Sequence, residues 1–173
     1  MKLIKLSSRK YPGYECIVDD EDFEALSKYN WHPQILPKNG TIYAISTLNG
    51  TTINGKKTTY RMHRFVMQLH GHSIESKLID HKDLNGLNNQ KENIRICSHS
   101  QNGQNTKKCR VNKTSQYKGV CFKTGESKYY STIHLNSKNI HLGSFDNEED
   151  AARAYNNKAI ELYGDFACLN III

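Results

Sequence analysis

No run of apolar residues in this 173-residue chain approaches the roughly 20 needed to cross a bilayer, and only 37% of its residues are hydrophobic. Together with its low mean hydropathy, this excludes a transmembrane helix; the start shows no secretory signal pattern, so the expected setting is the cytosol, with no membrane partner. Cysteine is present but unpaired in pattern. Cys16, Cys97, Cys109, Cys121 and Cys168 are odd in number and show no Cys-x-x-Cys spacing, which argues against a disulfide framework or a zinc knuckle and for reduced thiols. Acids are scarce where it matters most. Between residues 103 and 145 a single acid, Glu126, faces eight bases: Lys107, Lys108, Arg110, Lys113, Lys118, Lys123, Lys128 and Lys138. That excess of seven equals the net charge of the whole chain, +7, and concentrated positive charge of this kind is the footprint of a polyanionic partner.

What is there is a set of side chains suited to hydrolysing a phosphodiester. Asp80-His81 is followed by Asn93, twelve residues after the histidine, and by Asn102, nine further on. A neutral imidazole, with an ordinary pKa of about 6.5, can take a proton from water near neutrality, which suits His81. Charge that builds on the phosphate and the leaving oxygen is offset by a hard cation on oxygen ligands, which Asp80 and Asn102 can supply. Asn93, with a donor and an acceptor, can tie two backbone segments together and hold the imidazole in place. The local pattern predicts a strand through Leu78 and Ile79, turn chemistry at Asn85-Gly86 and Asn88-Asn89, and a second strand through Ile94 and Ile96. A helix capped by Ser98 or Ser100 would then carry Asn102 and Asn105.

On these residues the segment from about 58 to 105 resembles the HNH nuclease family, in the variant whose last motif position is Asn. Met62-His63-Arg64-Phe65-Val66-Met67 resembles the histidine-arginine helix that leads into the motif in phage and intron-borne members. The resemblance implies a ββα-metal site with one divalent cation, Mg²⁺ or Mn²⁺, leaving 5′-phosphate and 3′-hydroxyl ends. It assigns His81 and Asn93 as catalytic and Asp80 and Asn102 as metal ligands. His99 and Asn105 lie three residues either side of Asn102; Asn102 is favoured because its distance from Asp80 matches the family pattern.

A second module begins near Ser115. Three short alternating segments, around Tyr117-Val120, Lys128-His134 and Asn139-Phe145, predict strands, and a helix is expected from Asp146 with Glu149 completing a capping box, ending at Gly164. Ala151, Tyr155, Ala159 and Leu162 share a face by helical spacing, so small alanines would let the helix lie close on the sheet. Residues 115 to 170 resemble the DNA-binding domain of plant ethylene-response transcription factors (the APETALA type), which implies a sheet lying in the major groove of double-stranded DNA. Alternation puts Tyr129, Ser131, Ile133 and Leu135 against the helix and Tyr130, Thr132 and His134 outward, with Asn139 and His141 outward on the next strand. The positions matching the family's base readers are Lys118, Cys121, Lys123, His134, Asn139 and His141. Only two are strongly basic, which favours backbone contact over base readout. Lys107, Lys108 and Arg110 extend the basic footprint into the linker.

The first sixty residues predict strands at 3–6, 15–18, 42–48 and 58–61, a short helix capped by Asp19 or Asp20 and packed by Trp31, and backbone contacts from Lys38, Lys56 and Lys57. The expected fold class is α+β: a β-rich scaffold over 1–60, a ββα-metal HNH nuclease module over 61–110, and over 111–173 a three-stranded antiparallel sheet packed on one helix. The expected function is a site-specific, metal-dependent DNA endonuclease of the homing type, encoded by a phage or mobile element. The alternatives are a non-catalytic DNA-binding regulator that keeps the HNH fold, and a nuclease without sequence preference. Nothing in the residues distinguishes monomer from dimer.

Overall fold

The computed structural model describes residues 1–37, 39–47, 52–53, 56–57, 59–107 and 114–172, with backbone only at 52–53 and 56–57. Lys38, Lys108, Arg110 and Lys113 lie outside the described residues, as do the side chains of Lys56 and Lys57. The chain is a mixture of helices and small sheets, an α+β protein, in two compact units, Met1–His99 and Ser100–Ile173.

In the first unit, β1 (Lys2–Lys5) and β2 (Glu15–Val18) form an antiparallel pair with Ile4 opposite Cys16. Alternation along β2 turns Cys16 and Val18 inward. Helix α1 (Asp20–Ser27) follows, and its Leu26 is fully buried; the Leu26 carbonyl accepts a 2.8 Å hydrogen bond from Trp31 Nε1, which satisfies the indole inside the core. Next come β3 (His32–Ile35), β4 (Ile42–Ser46), the two-residue strands β5 (Thr52–Ile53) and β6 (Lys56–Lys57), which pair with each other, and β7 (Tyr60–Arg61). The order β3-β4-β7 makes a three-stranded antiparallel sheet. Helix α2 (Met62–Leu69) buries Met62, His63, Val66 and Met67, one face by helical spacing. The hairpin of β8 (Leu78–His81) and β9 (Ile94–Cys97) completes the unit, with His81 opposite Ile94 and Asp80 opposite Arg95. Ile4, Val18, Leu26, Trp31, Ala44, Met62, Val66 and Ile94 belong to one apolar core. Residues on both sides of position 60 therefore share that core, and the compact units are drawn differently from the three functional segments read in the sequence.

Helix α3 (His99–Gln104) starts directly after Ser98. In the second unit β10 (Val120–Lys123), β11 (Lys128–Leu135) and β12 (Lys138–Phe145) form an antiparallel sheet in that order, backed by α4 (Glu148–Tyr163). The expected alternation holds: Ser131 and Ile133 are buried and His134, Asn139 and His141 are exposed. Its register shifts between Ser131, opposite Gly143, and Thr132, opposite His141, which leaves Leu142 as the extra residue of a β-bulge. Ala151, Ala152, Tyr155, Ala159 and Tyr163 are the buried face of α4. The alanines permit close approach, and Gly119 shows how close: at φ +76° a Cβ there would fall inside the Tyr155 ring and 2.7 Å from the Thr132 carbonyl. Asn170 closes the unit, accepting from Lys118 N at 2.6 Å and donating to the Lys118 carbonyl at 3.0 Å.

Two caps differ from expectation. Asp19 occupies the N-cap of α1, yet no side-chain capping bond forms, because its carboxylate accepts from Gln90 Nε2 (3.0 Å) and Lys91 N (2.7 Å). Asn147, not Asp146, caps α4, accepting from Asp150 N at 2.8 Å, while Asp146 pairs with Lys128 Nζ at 2.9 Å. Gly164 does end α4, with positive φ.

Gly119→Ala combines a left-handed backbone with overpacking, so it should cost at least about 2 kcal/mol of stability in the second unit. Urea denaturation followed by circular dichroism checks this; an unchanged midpoint would contradict the close approach.

Candidate active site

Asp80 and His81 end β8 and are both buried, at 6% and 5% exposure. Asp80 alternates toward its cross-strand neighbour, Arg95, whose Nε and Nη2 donate to Oδ2 at 3.1 and 2.8 Å. Asn89, His63 and Tyr43 stand around the imidazole of His81. Its Nε2 lies 3.5 Å from Asn89 Oδ1, its ring centroid is 5.0 Å from that of His63 at an interplanar angle of 90°, and it is 5.8 Å from that of Tyr43. Burial lowers the pKa of His81, and the Asn89 contact with the charges of Asp83 and Asp80 opposes that shift without cancelling it. Burial also pushes His63 well below the ordinary histidine value, helped by His81, Arg61 and Arg64. Both rings are thus favoured in the neutral form, in which an imidazole can accept a proton.

The chain between the strands, residues 82–93, is a knot of short polar side chains. Asn93 Oδ1 accepts from Asp83 N at 3.1 Å, while its Nδ2 donates to Asp83 Oδ1 at 3.0 Å and to the Asn88 carbonyl at 2.8 Å. The Asn93 carbonyl accepts from Lys82 N at 2.9 Å. Asp83 Oδ1 also caps Asn85 N at 2.8 Å, and Asn85 Oδ1 caps Leu87 N at 3.1 Å, successive Asx turns. These bonds support Leu84 at φ +63°, a left-handed conformation costly for a leucine. The Asn93 side chain thus bonds the loop at both Asp83 and Asn88.

The N-terminal hairpin grips this loop from outside. Ile17 N donates to the Leu87 carbonyl at 2.9 Å and the Ile17 carbonyl accepts from Asn89 N at 2.8 Å, extending the edge of β2. Gly86 lies against β4 so closely that a Cβ would sit 2.8 Å from Tyr43 Cδ1 and overlap the Ile42 carbonyl. Arg64 ties α2 to the approach of β8 by donating to the Ile74 (2.8 Å) and Lys77 (3.0 Å) carbonyls.

Asn102 is exposed on α3, and Asn105 is buried. Among the described residues no three His, Cys, Asp or Glu side chains form a ligand set; the donors singled out in the sequence are the Asp80 carboxylate and the Asn102 amide. Those are hard oxygen donors, the chemistry that fits Mg²⁺ or Mn²⁺ and not zinc. Sequence reasoning missed Tyr43, His63 and Asn89 as neighbours of His81, and Arg95 as the partner of Asp80. Arg95 could have been found from the hairpin register, which sets opposite charges face to face.

In the second unit, Cys121, Lys123, Tyr130, Thr132, His134, Asn139 and His141 share the face of the sheet turned away from α4: Cys121 pairs with Tyr130, Thr132 with His141 and His134 with Asn139. Lys123 Nζ stands 4.0 Å over the Tyr130 ring, and Tyr130 and His141 are 5.4 Å apart, while the Tyr130 hydroxyl donates to Glu126. Lys118 stands apart from that row: its ammonium donates to the Gln104 carbonyl at 2.7 Å and lies 6.0 Å from the Tyr155 ring, where burial lowers its pKa. Lys107 is exposed.

A family model described as HNH endonuclease matches residues 60–104, the span from β7 to the end of α3. An uncharacterized HNH endonuclease of Acanthamoeba polyphaga mimivirus is 32% identical over 165 residues, 92% of this chain and 76% of that protein. The chain belongs to the HNH endonuclease family. Over 61 residues, 35% of its length, it is also 39% identical to an AP2-like ethylene-responsive transcription factor of Arabidopsis thaliana, of which the match covers 13%.

The depressed histidines carry a linkage consequence. Because the folded pKa of His63 lies below its unfolded value of about 6.5, the neutral ring stabilises the fold above that pH, and this contribution is lost as pH falls through the folded value. The thermal midpoint should therefore drop between about pH 7 and about pH 5, and His63→Phe should flatten the drop; identical slopes for parent and variant would show that His63 is not held neutral.

Proposed function

We propose that this chain is a metal-dependent, site-specific DNA endonuclease of the homing type. The observation that carries the reading is the buried Asp80-His81 pair, a carboxylate and an imidazole favoured neutral at the end of one strand. His81 is the general base that takes a proton from the attacking water. Asn93 keeps the loop, and through it His81, in place. Asp80 and Asn102 would hold Mg²⁺ or Mn²⁺ in a ββα-metal arrangement, and the cation when bound would offset charge on the phosphate and the leaving 3′ oxygen. Water on the far side of the phosphate from the leaving oxygen loses its proton to the His81 imidazole, and the products carry 5′-phosphate and 3′-hydroxyl ends. The enzyme acts in the cytoplasm of the host cell of a phage or other mobile element.

The aim comes from the second unit, which we read as an ethylene-response-factor-like reader of double-stranded DNA. Its outward row, Cys121, Lys123, Tyr130, Thr132, His134, Asn139 and His141, supplies few charges, so contact with phosphates and groove shape carries more than base readout. Lys107, Lys108 and Arg110, which precede it in the sequence, add positive charge for the same partner. The engagement of Lys118 with Gln104 favours a structural part for that residue.

One observation favours a second reading, a DNA-binding regulator without catalysis: Arg95 occupies an oxygen of Asp80. Mapping the ends left by purified protein on a phage-genome library with Mg²⁺ separates the readings. Focused cuts support the homing enzyme, scattered cuts an untargeted nuclease, and an intact library the regulator.

His81→Ala should abolish cleavage while leaving DNA affinity unchanged, measured by nicking and gel shift on the same duplex; equal nicking by variant and parent removes the mechanism. Lys123→Ala should weaken binding at low salt and reduce the slope of log affinity against log salt by about one. An unaltered slope would mean that the outward face is not the reader.

A further inference from the structure

The single acid among residues 103–145 sits in the turn that joins β10 to β11. Glu126 N donates to the Lys123 carbonyl at 3.2 Å and Ser127 N to the Thr124 carbonyl at 3.3 Å, with Ser127 at φ +52°. This tight reversal turns the carboxylate back onto the outward row: Oε1 lies 3.5 Å from Lys123 Nζ, and Oε2 accepts from the Tyr130 hydroxyl. Lys123 Nζ in turn stands 4.0 Å over the Tyr130 ring, whose neighbour at 5.4 Å is the ring of His141. An ammonium and a phenol thus hold one anion between them. The hydrogen bond from Tyr130, with the charge of Lys123 adding to it, lowers the pKa of Glu126, so the carboxylate is ionised near neutrality.

We propose that Lys123 and Tyr130 form a subsite for one backbone phosphate of double-stranded DNA, and that the Glu126 carboxylate fills this subsite until DNA displaces it. This rests on the reading of the outward face as the DNA-binding face. To these donors a carboxylate and a phosphodiester look alike, each a single negative charge shared by two oxygens. The ammonium meets that charge as a point and the phenol meets an acceptor, so the subsite fixes position and reads no base.

Displacement is easy in one circumstance and unrewarding in another. The Lys123 and Glu126 side chains are 53% and 55% exposed, and a solvated pair of this kind holds weakly. A free anion nevertheless gains little by replacing a carboxylate tethered beside the same donors. A duplex already resting on the rest of the face brings its phosphate at high effective concentration and wins the exchange. Glu126 therefore favours an extended polyanion over isolated anions, a selectivity that the two donors alone lack.

The test uses the full chain and a mixed-sequence duplex without divalent metal. At low salt Glu126→Gln should bind about three- to tenfold tighter than the parent, and the gain should shrink as salt rises. Removing any acid from such a face also relieves simple repulsion, so the same change is made on Lys123→Ala and on Tyr130→Phe. Occupation of the two donors predicts that the gain drops below about twofold on Lys123→Ala and is reduced on Tyr130→Phe. A gain kept in full on both marks repulsion and overturns the proposal. The side-chain carboxylate carbon of Glu126, assigned by its loss in Glu126→Gln, is followed in parallel by NMR. Duplex should move it to the position it takes without DNA when Lys123→Ala and Tyr130→Phe are combined, and inorganic phosphate at equal ionic strength should leave it in place. A carbon that moves with inorganic phosphate and not with duplex also overturns the proposal. If Lys123→Ala weakens binding while Glu126→Gln leaves affinity unchanged, the competing carboxylate falls and the DNA-binding face stands; if neither variant alters affinity, both fall.

Discussion

The site depends on one loop being held still. Between β8 and β9 the backbone must reverse while keeping Asp80 opposite Arg95, and a slip of one residue would turn the buried Asp80 and His81 to the opposite faces. Asn93 and Asp83 prevent the slip from inside by bonding each other and the backbone of both arms. Ile17 and Asp19 prevent it from outside, the first by continuing the edge of β2 onto Leu87 and Asn89, the second with a carboxylate that would otherwise cap α1. The unused cap is the cost of that grip. The hairpin at the start of the chain is therefore part of the site's framework, even though none of its side chains is among the groups assigned to chemistry.

Burial sets the electrostatics of both units, in opposite ways. At Asp80 a charged group sits nearly dry, which requires a partner, and Arg95 meets it from the adjacent strand. At His63 and His81 the same dryness favours the uncharged ring. In the second unit Lys123 and Lys138 stand exposed on the sheet, but Lys118 is drawn inward against Tyr155 and Gln104. A count of lysines in that segment thus overstates the charge turned outward, since Lys118 is engaged inward and Lys128 pairs with Asp146.

The motif itself was legible because its parts are local: strand, Asx-rich turn, strand and helix start follow from alternation and turn residues over 27 positions, 78 to 104. The second unit was legible for the same reason, and its inward and outward faces follow from period two in β11 and β12. The neighbours of His81 were not. Tyr43 reads as one more aromatic on a strand, and His63 as part of a motif helix; only the tertiary packing of β4, α2 and β8 brings the rings together. Asp19 and Asp146 looked like caps because nothing local shows that Lys91 and Lys128 compete for them. The strand β3 was missed, since Pro33 weakens its pattern and its pairing with β4 spans a turn of mixed composition.

The extra residue at Leu142 gives the second sheet a shape as well as a register. Bulges of this kind bend a strand and tighten its local right-handed coil, and this one falls beside Thr132 and His141, where the outward run through His134 and Asn139 begins. A flat ribbon touches a winding surface at one tangent point, whereas a coiled one can follow it over several side chains; in this sheet one inserted leucine, packed like Ile140 against the apolar cluster, supplies the irregularity from which such coiling starts.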